Sequence, residues 1–119
     1  MDRERFELLV AEAIDSLPDD FRQKMNNVAV VVEDLPSPRE ERRFARGRLL
    51  LGLYQGQPLT RRSSSYGMAF PDKITIYQAN IEALCRTEDE IRRQVRKTVL
   101  HEIAHHFGID DHRLRDLGY

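Results

Sequence analysis

The stretch from Thr87 to Gly108 constrains the fold most. Thr87-Glu88-Asp89-Glu90 has the form of a capping box, with a hydroxyl at the N-cap and a glutamate three residues on. The acids of that first turn also suit the positive end of a helix dipole. Ile91, Val95, Val99 and Ile103 then recur at helical spacing, and Leu100, Ala104 and Phe107 widen the stripe toward the sheet. Arg92, Arg93, Arg96 and Lys97 form the wet side, while Gln94, Thr98, His101 and His105 make a separate row. Gly108 can stop the helix by taking positive φ. Asp110 is placed to cap a final helix over about 111–117, with Ile109 and Leu114 as its hydrophobic staple. A helix this long and one-sided requires an apolar layer to lie on.

The last turns of that helix read His101-Glu102-Ile103-Ala104-His105, or HExxH, and the chain continues as HExxHxxGxxD through His106, Phe107, Gly108 and Asp111. Residues four apart share a helix face, so His101 and His105 can point one ring nitrogen each at a single ion. Zinc accepts imidazole at about 2.0–2.1 Å, within reach of such a pair. Glu102 falls about 100° further round, beside the pair, where a general base for a water held by the ion should stand. A catalytic zinc needs a third protein ligand and an open position. A turn at Gly108 carries Asp111 back toward the ion, and spacing favours it; Asp110 and His112 are neighbours that a slightly different turn could present. His106 points away from the pair and reads as a surface or supporting residue. Tyr119 and Tyr66 are candidates for stabilising an oxyanion.

One domain spanning 1–119 is expected from the length. With 40% hydrophobic and 33% charged residues the chain belongs with globular rather than disordered proteins. It has no apolar run near 18 residues that could span a bilayer. The opening Met1-Asp2-Arg3-Glu4-Arg5 does not read as a secretory signal, and Cys85 is the one cysteine, so the expected compartment is the cytoplasm. A net charge of −1 gives no overall electrostatic case for binding nucleic acid.

Phe6, Leu9, Val10, Ala13, Ile14 and Leu17 predict an N-terminal helix over about 2–17, ended by Pro18. Phe21 and Met25 share a side of a short helical piece. The β-branched run 28–32 predicts a strand, and its continuous apolarity suggests cover on both faces. Residues 49–54 read as a second strand. Between Arg39 and Arg62 seven arginines stand against two acids, a patch that could grip phosphates or an acidic partner, but the thin aromatic interleaving favours a solvated basic loop. Residues 61–67 have the composition of a loop, either a lid or wall of the cleft or an ordinary connector. Ile74-Thr75-Ile76-Tyr77 alternates as a short strand and is expected at a sheet edge, where an extended peptide could add. Residues 79–85 predict a short helix with Ile81 and Leu84 inward.

With these residues in hand, a resemblance can be named. His101-Glu102-Ile103-Ala104-His105 looks like the zincin metallopeptidase signature, and HExxHxxGxxD looks like the metzincin pattern with Asp in place of the third His. The run 105–111, the closing Arg113-Leu114-Arg115-Asp116-Leu117-Gly118-Tyr119 and the small size resemble a family of minimal bacterial zincin-like metallopeptidases. That resemblance implies an α+β fold: a single small domain whose short, mostly three-stranded mixed sheet packs on the N-terminal helix and on the long HExxH helix. It implies one zinc per chain on His101, His105 and Asp111, Glu102 as base, and a peptide or protein substrate, here placed along residues 74–77. No methionine turn follows Asp111, so the wall beneath the ion is expected to be built differently.

Two other classes compete with the zinc metallopeptidase. The bacterial endonucleases that mature ribosomal RNA resemble the chain in size and in a His-x-x-x-His-x-x-Gly helix. They typically carry Gly where this chain has Glu102 and His where it has Asp111. RNA cleavage that survives loss of Glu102 would mark that class. A binding or regulatory module without turnover is the other class, marked by a cleft too narrow for a peptide.

Overall fold

In the computed structural model, residues 1–56 and 71–118 are described. The chain forms α1 (Arg3–Asp15), α2 (Asp19–Lys24), β1 (Val28–Glu33), α3 (Pro38–Glu40) continuing as a π-helical turn (Glu41–Ala45), β2 (Gly52–Gln55), β3 (Asp72–Tyr77), α4 (Gln78–Leu84), α5 (Glu88–Phe107) and α6 (Asp111–Asp116). The three strands make one mixed sheet in the order β1-β3-β2. β1 runs parallel to β3 with Val30 opposite Ile74, and β2 runs antiparallel to β3 with Tyr54 opposite Ile74. The α+β architecture expected from the sequence is therefore present, with the sheet packed against α1 and α5.

The helices start and stop where local chemistry requires. Asp2 caps α1 by accepting from the Arg5 amide at 2.8 Å. Thr87 caps α5 in the same way, accepting from the Glu90 amide at 3.1 Å. Gly108, at φ +69°, ends α5, and the Ile109 N–H closes onto the Ala104 carbonyl at 2.9 Å. Asp110 caps α6 by accepting from the Arg113 amide at 3.0 Å.

A single apolar core joins the layers. Phe6, Leu9 and Phe21 from the first two helices meet Ile74 and Ile76 of β3 and Val95, Val99, Leu100 and Ile103 of α5, all fully buried. Leu114 of α6 closes one end of it. Arg3 fastens α1 to the sheet: its guanidinium donates to the Val32 carbonyl at 2.8 Å, to Gln78 Oε1 at 2.7 Å and to Asp34 Oδ1 at 2.6 Å. Two apolar residues expected inside lie largely outside: Leu84 is 53% exposed and Phe107 is 43% exposed.

Strand order corrects the sequence reading. Residues 74–77 lie on the central strand, so they have no free edge for a peptide. The physical reason is that β1 and β2 take up the backbone hydrogen bonds on the two sides of β3, and both of its faces are covered as well. Ile74 and Ile76 enter the core beneath the helices, while Thr75 and Tyr77 are buried on the opposite face. There the Tyr77 hydroxyl donates to Glu40 Oε1 at 3.0 Å, which ties the end of α3 to that face of the sheet. Burial, with the Glu40 carboxylate beside it, pushes the Tyr77 phenol well above its usual range. Conversely, the valine-rich β1, expected to be covered on both faces, is an edge strand. Val28, Val30 and Val32 pack on the core, yet every residue of the run stays partly exposed. No helix of the described residues is long and apolar enough to cross a membrane.

Candidate metal centre

The last two turns of α5 carry the motif. Ile103 and Ala104 anchor that segment in the core, and His101 and His105 are exposed on the side facing away from it. His101, Glu102 and His105 line one groove of about 550 Å³, together with Lys97, Thr98 and residues 48–52 of the chain leading into β2. A 20-residue helix locked along its buried stripe is the rigid support that a two-histidine site needs.

Glu102 differs from its histidine neighbours. It is mostly buried, and burial raises its carboxyl pKa above the ordinary range, although the Tyr54 amide and the nearby His105 oppose that shift. The Tyr54 backbone N–H donates to Glu102 Oε2 at 3.3 Å. This bond uses the side of β2 turned away from β3, so the sheet edge itself orients the carboxylate. β2 comes close because residue 52 is glycine. A Cβ there would stand 2.7 Å from Thr98 Cγ2 on α5 and 3.2 Å from the Thr75 carbonyl oxygen.

Tyr54 is held a second way. Its ring stacks on His106, with centroids 3.9 Å apart and planes at 20°. Its hydroxyl donates to Asp72 Oδ2 at 2.7 Å, and His106 Nε2 lies 3.8 Å from the same oxygen. Phe107 meets both rings edge-on. Asp72, Tyr54 and His106 thus clamp the β2 edge to the end of the motif helix. The sequence reading did not single out Gly52, Tyr54 or Asp72 for the site. Their signals were there: a glycine inside a strand run marks close backbone approach, and His106 follows a proposed ligand directly.

Two donors for an ion are in place, and their chemistry fits zinc: two imidazoles four residues apart beside a carboxylate. Among the described residues no group of three His, Cys, Asp or Glu side chains converges to hold a metal. Asp111 begins α6 immediately after the Gly108 turn, but its side chain lies outside the described residues, as do Tyr66 and Tyr119. The neighbours considered beside it are engaged otherwise. The Asp110 carboxylate caps α6, and the exposed His112 lies 4.0 Å from Asp116 on its own helix.

A family model described as zincin-like metallopeptidase matches residues 25–119. No curated protein sequence matches the chain. Among solved structures, a conserved hypothetical protein of Thermus thermophilus is 26% identical. That match covers 90% of this chain and 94% of the other, with a TM-score of 0.56. With the family match extending over most of the sequence and including the whole motif helix, the chain belongs to the zincin-like metallopeptidase family.

Proposed function

We propose that the protein is a zinc-dependent metallopeptidase that hydrolyses peptide bonds with Glu102 as general base. The observation that carries this reading is the meeting of His101, Glu102 and His105 in one groove. The sheet edge contributes as well, because the β2 backbone donates a hydrogen bond to the Glu102 carboxylate. His101 and His105 bind the ion as neutral imidazoles, and Asp111 is the third ligand by its place at the start of α6. When bound, zinc supplies Lewis acidity, lowering the pKa of water to about 7 and polarising the scissile carbonyl.

The chain's own residues do the rest. Glu102 takes a proton from the attacking water and delivers it to the departing amine. Burial raises the basicity of its carboxylate, which suits a base working near neutral pH. The Tyr54 amide fixes Oε2 and leaves Oε1 for the proton. The peptide lies extended in the groove between α5 and residues 48–52, rather than along β3.

A Glu102→Gln protein tests the reading against a peptide library read by mass spectrometry. Cleavage should disappear while bound metal per chain stays the same. Cleavage at the parent rate would sink the assignment of Glu102.

A further inference from the structure

The groove beside the imidazoles has a distinct chemistry along its length. Leu49 and Leu84, 47% and 53% exposed, both line it and offer apolar surface that the core does not use. Arg48 and Lys97 line it as well. Among the described residues neither cation has a carboxylate partner, and Glu102 is the one acid on the groove wall. Apolar surface therefore sits beside two uncompensated positive charges.

Position along the helix adds a register. Lys97 precedes His101 by four residues, about 6 Å along the axis at about 1.5 Å per residue. An extended peptide advances about 3.3 Å per residue, so Lys97 faces a position about two residues from the one over the imidazoles.

We propose that this groove selects peptide segments carrying a large aliphatic side chain, set against Leu49 and Leu84, and a carboxylate, set against Arg48 and Lys97 about two residues from the bond to be cut. The register rests on the peptidase reading; the preference for acidic, aliphatic segments does not.

Fluorescence anisotropy on the full chain with added zinc tests the preference. The probes are two short labelled peptides with leucine at several positions, identical except for glutamate or lysine at one position. The protein is Glu102→Gln, so that bound peptide is not consumed. The glutamate peptide should bind about tenfold more tightly, the scale of two exposed charge pairs, and the gap should shrink as salt rises. Arg48→Glu with Lys97→Glu should reverse the preference, and Arg48→Gln with Lys97→Gln should erase it. The glutamine pair introduces no new charge should the reversal disturb folding. Equal binding of the two peptides, or tighter binding of the lysine peptide, overturns the proposal. Cleavage by the parent protein separates the two readings. A glutamate peptide selected but uncut supports the groove preference and counts against the peptidase. Cutting without preference does the reverse.

Discussion

The two edges of the sheet are built on different principles. β1 is held by hydrocarbon: Val28, Val30 and Val32 pack on the core beneath α1, and Arg3 pins the strand's end. β2 is shorter and is held by close approach and polar contacts. Gly52 leaves no room for a Cβ against Thr98, the Tyr54 amide bonds Glu102, and the Tyr54 ring is clamped by His106 and Asp72. An apolar edge tolerates small adjustments, because burial depends on area rather than direction. A hydrogen bond to a buried carboxylate depends on distance and angle. The β2 edge is therefore where the sheet meets Glu102 and the candidate metal centre, and the β1 edge is where it is stabilised.

Substitutions can break that contrast, and the largest effect belongs to the carboxylate that β2 orients. Glu102→Gln should lower kcat by roughly 10²–10⁴-fold, the usual contribution of a positioned acid–base group, without loss of metal. The same change should raise the Tm of the metal-free protein. A carboxyl whose folded pKa is raised by burial binds more protons folded than unfolded, so its ionisation costs stability as pH rises through that window. The gain should accordingly be present at neutral pH and vanish below the ordinary glutamate range.

Gly52→Ala comes next. Its Cβ would collide with Thr98 Cγ2, at a cost of about 1–3 kcal/mol in urea unfolding, and β2 would be pushed from Glu102, so turnover should fall with stability. Thr98→Ser removes the colliding methyl and should restore part of both. Val30→Ala on the opposite edge should cost about 1–2 kcal/mol of burial and leave kcat unchanged. A large kcat loss there would erase the distinction between the edges.

The smallest effect is expected at an exposed ion pair between two short helices. The Arg113 guanidinium, 3.0 Å from Asp20, holds that carboxyl below its usual range and ties α6 to α2. Stability from a depressed carboxyl is fully present above the unfolded pKa and lost as pH falls through the folded one. Arg113→Ala should therefore lower Tm slightly at neutral pH, and the difference should close in strong acid.

Local signals in the sequence located the elements well. The Thr87 cap, the stripe through Ile91, Val95, Val99 and Ile103, the Gly108 stop and the Asp110 cap each depend on a few neighbouring residues, and each stands where it was expected. What was not legible depends on contacts between distant segments. The alternation at residues 74–77 fits either an edge or a centre, and the decisive fact is that β1 and β2, distant in the chain, pair with β3 on its two sides. The valines of β1 suggested burial on both faces, but a strand with one neighbour and one covering helix layer stays partly open. That His101, Glu102 and His105 would stand together at the end of one long helix was readable from spacing alone. The bonds from Tyr54 to Asp72 and to Glu102 join residues 18 and 48 positions apart, which no periodicity reveals. Leu84 was assigned inward by helical spacing, yet it lines the groove.

The most direct test of the central claim is the metal content of protein purified without added metal, as moles per chain. A zinc centre on the motif helix predicts about one zinc per chain, lost in His105→Ala. Protein that holds no metal, and takes up none when zinc is supplied at micromolar concentration, would contradict it.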